Sequence, residues 1–173
     1  VAAARDARVH VIVVPTLAAD GVPDLSNLTS AVRAVADGLT PGDLVCLEST
    51  VPPQTARTVV EPLLVERSAC ERGEFGVAVC PERTASGRSL RDIRASYPNA
   101  LGATADEATP AAPTLYDEVP DNTVDHAAGA PAAAFVKLFE AFYPPVHLAP
   151  PNDLARPACE LGGHLRPATH APE

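Results

Sequence analysis

Short apolar runs alternate with helical patterns along the first half of this chain, and this alternation constrains the fold more than any other feature. Residues 9–14, 44–47 and 75–79 are such runs, each followed by proline or polar residues, and they predict strands; 9–14 is expected to be a fully buried one. Residues 24–39 and 55–66 repeat apolar side chains at helical spacing. Strand, helix, strand, helix, strand predicts an α/β fold with a parallel sheet and helices on its faces.

The second half of the chain is less regular. Residues 130–142 predict a helix, because Pro131 suits its first turn and Phe135, Leu138, Phe139 and Phe142 share one face. A weaker helix is expected over 104–117 and an edge strand over 119–124. From residue 144 onward proline is too frequent for a helix, so we expect an irregular tail there.

Composition excludes several functional classes. The 173 residues suit one domain, and 13 basic against 22 acidic residues give a formal net charge of −9, which disfavours nucleic-acid binding. No 18-residue apolar run and no signal-peptide pattern occur, so we expect a cytoplasmic protein with no membrane contact. The four cysteines lack CxxC spacing and are expected to be free, mostly buried thiols.

Polar residues follow each predicted strand of this parallel sheet. Pro15-Thr16, Ser49-Thr50 and Cys80-Pro81-Glu82-Arg83 stand at the three carboxyl ends. Open parallel sheets bind ligands outside these ends. Polar residues next to proline at three successive strand ends therefore favour a binding site. The alternative is that the prolines only make turns.

Lys137 is the only lysine among 13 basic residues, and it stands in the predicted apolar helix 130–142. A compact ammonium stabilises a developing oxyanion in a way that arginine's planar fork does not reproduce. The alternative is a lysine whose stem lies along a helix edge while its charge reaches water.

Five stretches together resemble the UDP-glucose/GDP-mannose dehydrogenase superfamily, in its order and approximate spacing. The similarity is greatest to the branch of UDP-N-acetyl-mannosamine dehydrogenases, for which "STVPPGT" and "CPER" are typical. It covers about residues 5–143. The stretches are "VHVIVVPT", "PDLSNLTSAV", "GDLVCLESTVPPQT", "GEFGVAVCPERTASGRSLRDI" and "AAAFVKLFEAFY".

The resemblance implies a reaction and a cofactor. Similar enzymes oxidise a sugar CH₂OH to a carboxylate with two NAD⁺, through a cysteine-bound intermediate, in the synthesis of surface polysaccharides. Pro15 and Thr16 match the family's "PTP", and Thr50 matches the threonine of "STxPPGT", so these three are expected to bind NAD.

The resemblance also implies catalytic and substrate-binding residues. Glu82 matches the glutamate placed near the reacting sugar carbon, where a carboxylate orients water or acts as a base. Arg83 is expected to reach a substrate anion. Lys137 matches the family's lysine on the long helix, and both it and Glu82 are expected to contact substrate and take part in catalysis.

Several positions depart from the family pattern. No GxGxxG occurs in the chain, although similar enzymes bind the cofactor's phosphates with it. Leu17, Gln54 and Ala141 replace a proline, a glycine and an asparagine. In "GGHLRPATH" Leu165 stands where the family has its nucleophilic cysteine, and leucine cannot form a thioester. Cys159 matches an ordinary helix segment.

These observations predict a truncated nucleotide-sugar dehydrogenase. A partial NAD-binding Rossmann-like domain spans 1–128, the start of a central, dimerising helix spans 129–143 and an irregular tail spans 144–173. We expect the fragment to be inactive in UDP-sugar oxidation. One alternative is a non-catalytic degraded or truncated product, or a module that associates with an intact paralogue through its sheet edge. Another is an ordinary Rossmann oxidoreductase with a different class of substrate. No metal is expected, since Cys159, His164 and His170 lack a fourth ligand.

Overall fold

The computed structural model describes residues 2–84, 87, 92, 98–105, 111–118 and 123–142. The predicted tail 144–173, with Cys159, His164, Leu165 and His170, lies outside them. The described elements, in chain order, are α1 (Ala2–Arg5), β1 (Val9–Ile12), β2 (Leu17–Ala19), β3 (Val22–Asp24), α2 (Ser26–Ala36), β4 (Leu44–Leu47), a π-helical turn (Ala56–Val60), α3 (Glu61–Arg67), β5 (Gly76–Val79), β6 (Asn99–Ala103), α4 (Ala111–Asp117), β7 (Val124–His126) and α5 (Ala130–Phe142).

Five strands form one sheet in the order β1-β4-β5-β6-β7. β1, β4 and β5 are parallel, which confirms the predicted βαβ units. β6 runs antiparallel to β5, and β7 runs parallel to β6. The sheet is therefore mixed, and β6 was not predicted, because Asn-Ala-Leu-Gly-Ala has little strand propensity.

Helices cover both faces of the sheet. One core lies on the face of Val45 and Leu47 and includes buried residues of α2, α3 and α5. A second, smaller core lies on the opposite face, where Ala112 and Tyr116 of α4 pack on Cys46 and Cys80. The apolar residues of β4 are buried on both faces for this reason.

The expectation of a fully buried first strand is wrong. β1 ends at Ile12, and its residues alternate between exposed and buried. Val9, Val11 and Val13 are 38%, 50% and 59% exposed. β1 is an edge strand of the described sheet, and no described helix buries these three valines, whereas His10 and Ile12 face the opposite side and are buried.

The predicted second helix consists of two parts, and Pro62 explains the division. The N–H of Glu61 donates to the carbonyl of Ala56, five residues back, which is π-helical spacing. Pro62 then has no N–H to donate, so a regular α-helix begins only around it. Residues 55–66 are thus helical, as the spacing of their apolar residues predicts, but the first part is π-helical.

Helix α5 has the predicted bounds, but alanines supply much of its buried surface. Ala130, Ala133 and Ala134 lie in the larger core, whereas Phe135 and Leu138 are only half-buried. Small side chains let the helix lie close to β6. Gly102 of β6 and Gly129, which precedes α5, lie close together, because a Cβ on Gly102 would overlap the backbone of Gly129.

A β-hairpin follows β1 and was not predicted. β2 and β3 pair antiparallel around Asp20-Gly21, whose φ angles are 53° and 76°. Positive φ at both central residues is typical of a type I′ turn, and Asp-Gly is one of its strongest sequence signals.

The predicted helix over 104–117 and the predicted strand over 119–124 are partly matched by α4 and β7. Residues 106–110 and 119–122 of these two predictions lie outside the described residues.

Candidate functional site

Ser49 joins the carboxyl ends of β1 and β4. The N–H of Val14 donates to Ser49 Oγ at 2.8 Å, and this hydroxyl donates to the carbonyl of Val14 at 2.9 Å. Ser49 is buried, so both groups of Val14 find a partner after the regular ladder has ended. The serine in the turn is thus explained by structure alone.

Thr16 and Thr50 meet at the same edge. The Thr16 hydroxyl donates to the carbonyl of Thr50 at 2.5 Å, and both residues are half-buried. The carbonyl of the exposed Pro15 accepts a hydrogen bond from Asn27 Nδ2 at 3.2 Å, which ties this segment to the first turn of α2. Pro15, Thr16 and Thr50 therefore lie side by side, and their binding of NAD stays a prediction.

Glu82 lies next along this edge, after β5. Its N–H donates to the carbonyl of Glu48 at 3.1 Å, which places it beside the end of β4. Its carboxylate accepts from the N–H of Thr84 and lies 3.9 Å, from Oε2 to Nζ, from Lys137 on α5. Both side chains are partly open to solvent. The structure brings the two predicted catalytic groups together, and their roles stay predictions.

Arg83 points to α5. Its Nε donates to Glu140 Oε2 at 2.9 Å, its Nη2 pairs with the other carboxylate oxygen, and its Nη1 donates to the carbonyl of Pro98. The side chain is mostly buried. Its guanidinium thus fastens the end of β5 to α5, and contact with a substrate anion stays a prediction.

Glu48 is a site residue that the sequence reasoning missed. Tyr116 donates its hydroxyl proton to Glu48 Oε1 at 2.8 Å. Burial raises the pKa of Glu48, the Tyr116 hydrogen bond lowers it, and the charge of Glu82 raises it further. The signal was available, since Glu48 is the first charged residue after the apolar strand 44–47.

The buried cysteines have the wrong electrostatics for a nucleophile. Burial raises the pKa of Cys46 to about 11 and that of Cys80 to about 12. Cys70 is also buried, and burial raises its pKa. All three are free thiols, as predicted, and at neutral pH they are protonated.

A cavity of about 310 Å³ lies elsewhere in the molecule. It is lined by Arg57, Glu61, Arg72 and Phe75, together with Thr104 and its neighbours. Phe75 precedes β5, so the cavity lies toward the amino end of that strand, away from Glu82 at its carboxyl end. Two contacts already engage its arginines: Arg57 donates to the carbonyl of Thr104 at 2.8 Å, and Arg72 lies 3.4 Å from Glu61.

The described residues contain neither a candidate metal site nor a helix that could span a membrane. No group of three or more His, Cys, Asp or Glu residues within them is placed to hold a metal ion. No helix in this part of the chain has both the length and the apolar character needed to cross a membrane.

The proteins that this chain resembles in sequence are named as dehydrogenases that act on N-acetylated sugars or their uronic acids. The chain is 31% identical to UDP-N-acetyl-D-mannosamine dehydrogenase of Pyrococcus horikoshii over 158 residues, which cover 91% of this chain and 37% of the relative. It is 32% identical to NDP-N-acetyl-D-galactosaminuronic acid dehydrogenase of Ralstonia nicotianae, covering 87% of this chain and 37% of the relative. The chain thus spans little more than a third of each relative.

A solved structure and a family profile agree with these sequence relatives. The structure of the UDP-D-ManNAc dehydrogenase from Pyrococcus horikoshii matches with a TM-score of 0.78 at 30% identity, covering 95% of this chain and 39% of that one. The profile named "UDP-glucose/GDP-mannose dehydrogenase family, NAD binding domain" matches residues 1–120. This chain therefore belongs to the UDP-glucose/GDP-mannose dehydrogenase family, and its residues 1–120 match the NAD-binding domain of that family.

Proposed function

We propose that this chain forms part of the nicotinamide- and sugar-facing side of a nucleotide-sugar dehydrogenase whose substrate is UDP-N-acetyl-mannosamine. The observation that carries the proposal is a row of contacts at the carboxyl ends of β1, β4 and β5. Thr16 meets Thr50, Glu82 meets the end of β4, and Lys137 faces Glu82. Ligands of open parallel sheets bind at this edge.

The described residues fit one end of NAD. Pro15, Thr16 and Thr50 offer a hydroxyl, carbonyls and a proline surface at the ends of β1 and β4. The chain has no GxGxxG to bind the pyrophosphate. NAD⁺ held there would supply the hydride acceptor for oxidation of the sugar CH₂OH. We expect this chain alone to bind it weakly.

The two charged groups have complementary tasks. The ammonium of Lys137 stabilises the negative charge that develops on the sugar oxygen as its proton leaves. The carboxylate of Glu82 orients a water molecule or accepts its proton in the later hydrolysis. Leu165 cannot supply the thiol on which that hydrolysis depends in similar enzymes. The proposal is therefore binding without turnover.

A ligand-binding experiment tests this proposal. Saturation-transfer NMR with UDP-N-acetyl-mannosamine should show binding, with a Kd of about 1 mM or weaker, equivalent to about −4 kcal/mol. Lys137→Ala should weaken it at least several-fold. Arg57→Ala removes a cation from the cavity near the amino end of β5, and should leave binding unchanged.

Three results would contradict the proposal. They are no binding at all, equal weakening by both variants, or NADH formation when NAD⁺ and the sugar nucleotide are mixed with the chain. A second candidate substrate is a nucleotide sugar of the N-acetylgalactosamine type, which the NDP-N-acetyl-D-galactosaminuronic acid dehydrogenase relative favours. Titrating both sugar nucleotides against the same sample ranks them.

A further inference from the structure

The cavity of about 310 Å³ near the amino end of β5 has no part in the proposed function. Its walls are formed by the π-helical turn and the start of α3, by the loop that precedes β5 and by the residues that follow β6. All of these residues lie between 57 and 105, well inside the chain. Ligand pockets measure about 300–1,000 Å³, so this one suits a molecule of the size of one sugar ring and is too small for a sugar nucleotide.

Arg57 and Glu61 form the helical part of this wall. They are at i and i+4, a spacing at which opposite charges on a helix can pair, but in the described part of the chain no ion pair joins them. Arg57 Nη2 instead donates to the carbonyl of Thr104 at 2.8 Å, and a carboxylate oxygen of Glu61 lies 3.4 Å from Nη1 of Arg72. The π-helical turn that separates the two charges is a rare element, and such turns are frequent at functional sites.

Both arginines keep hydrogen-bond donors for a ligand. A guanidinium has several N–H donors, and Arg57 uses one of its nitrogens on the carbonyl of Thr104. Arg72 approaches Glu61 with one nitrogen, and its side chain is 68% exposed. Guanidinium groups bind carboxylates through two parallel hydrogen bonds, which gives geometric specificity as well as affinity. The two arginines therefore suit a ligand with a carboxylate group.

Glu61 offers the complementary group, an acceptor. Its side chain is only 11% exposed, and none of the described residues donates a hydrogen bond to its carboxylate. Buried polar groups are normally hydrogen-bonded, so this carboxylate has unused acceptor capacity. The hydroxyl group of a ligand can donate to it. The buried ring of Phe75 adds an apolar surface to the same cavity.

We propose that this cavity binds a small carboxylate that also carries hydroxyl groups, a molecule of the size of one sugar acid. The ligand's carboxylate pairs with Arg57 and Arg72, and one of its hydroxyls donates to Glu61. Two guanidinium groups and one carboxylate leave an excess of positive charge among the lining residues, which favours an anion over a zwitterion or a neutral sugar.

The charge of the rest of the chain makes this cavity distinctive. The formal net charge of −9 disfavours non-specific binding of anions elsewhere on the surface. The acidic residues of the loop before β5, Glu71 and Glu74, are not among the lining residues. The carboxylate of Glu74 instead accepts a hydrogen bond from the N–H of Glu71 at 2.8 Å. An anion that binds this chain through charge alone therefore has few alternatives to the cavity.

A two-dimensional ¹H–¹⁵N NMR titration with glucuronate tests the proposal. We expect saturable shifts at the amides of Gly73, Phe75 and Thr104, with a Kd of about 1 mM. Glucose lacks the charge and acetate lacks the hydroxyls, so each should bind at least about tenfold more weakly than glucuronate. No binding of glucuronate, shifts confined to residues outside the cavity, or equal binding of all three compounds would overturn the proposal.

Variants test the role of the arginine. Arg72→Gln should weaken glucuronate binding about tenfold, whereas Arg33→Gln removes the same charge from an exposed position on α2 and should leave binding unchanged. Circular dichroism checks that both variants fold. Arg72→Lys keeps a positive charge beside Glu61 but loses the planar fork, so it should weaken binding several-fold even if Arg72→Gln fails to fold. Equal affinity in wild type and Arg72→Lys, or equal weakening by Arg72→Gln and Arg33→Gln, would overturn the proposal.

Discussion

The ammonium of Lys137 lies 3.9 Å from a carboxylate oxygen of Glu82, and the two side chains come from different elements, α5 and the end of β5. Both are partly solvated, at 20% and 36% exposure. Ion pairs of this kind contribute about 0–1 kcal/mol to stability. The pair therefore has little structural value, which leaves a chemical role as the proposed reason for the chain's only lysine.

Lys137→Ala should lower the free energy of unfolding by about 1 kcal/mol or less, while it weakens sugar-nucleotide binding. Urea denaturation and ligand NMR on the same samples measure the two effects. Lys137→Arg, as the matched control, keeps the charge and the stability but should bind the ligand less tightly than wild type. A loss of several kcal/mol in Lys137→Ala would show that the lysine is structural.

Arg83 and Glu140 should couple more strongly than the Lys137 pair. Their contact is bidentate and partly buried, with side-chain exposures of 12% and 29%. A double-mutant cycle with Arg83→Met and Glu140→Gln should give a coupling energy of about 1–3 kcal/mol. Chemical denaturation of the four proteins measures it. A coupling near zero would mean that this ion pair contributes nothing to holding α5 on the sheet.

Because of Glu48, the free energy of unfolding should fall as the pH rises above the pKa that this carboxyl group has in the unfolded chain. Its folded-state pKa is raised by burial, so the folded chain keeps this proton longer than the unfolded chain does. The stability it contributes is full below the unfolded pKa and is lost as pH rises through the folded one. The difference in unfolding free energy between Glu48→Gln and wild type should therefore favour the variant more at pH 7 than at pH 4. Glutamine keeps the hydrogen bond, because its carbonyl oxygen still accepts from Tyr116.

Urea denaturation of wild type and Glu48→Gln at both pH values supplies this comparison. Glu66→Gln removes the same charge from an exposed position on α3 and serves as the control. If the two variants show the same pH dependence, the raised pKa of Glu48 has no effect on folding.

Cys46 and Cys80 should resist alkylation in the folded chain. With a pKa of about 11 for Cys46, roughly one thiol in a thousand is ionised at pH 8, and its side chain is buried as well. Iodoacetamide labelling followed by mass spectrometry should be slow in buffer and fast in urea. Cys159→Ser removes the cysteine outside the described residues. Equally fast labelling under both conditions would contradict the burial of these thiols.

Gly102→Ala should destabilise the chain by at least about 1–3 kcal/mol, since the new Cβ would overlap the backbone of Gly129 and push α5 away from β6. Thermal denaturation measures the loss. Gly73→Ala is a useful comparison: a Cβ there meets open space, and its φ of 93° makes any cost one of backbone strain. Equal small effects at both glycines would show that α5 tolerates a wider spacing.

The sequence by itself determined the parallel βαβ core and the helix that carries the lysine. β4 and α5 have the predicted bounds, because a run of four apolar residues and a regular helical pattern each depend on local periodicity. The family followed from motifs in order along the chain. The prolines that follow the first three predicted strands also indicated where the polar residues at the carboxyl ends of the sheet begin.

Tertiary structure decided what local pattern does not encode. β6 exists because β5 offers it an antiparallel edge, and its own residues have little strand propensity. The valines of β1 form an apolar run that suits a buried strand, and only the position of β1 at the edge of the described sheet exposes them. The pairing of Arg83 with Glu140 and of Glu48 with Tyr116 likewise depends on contacts between distant segments, which no single stretch of sequence specifies.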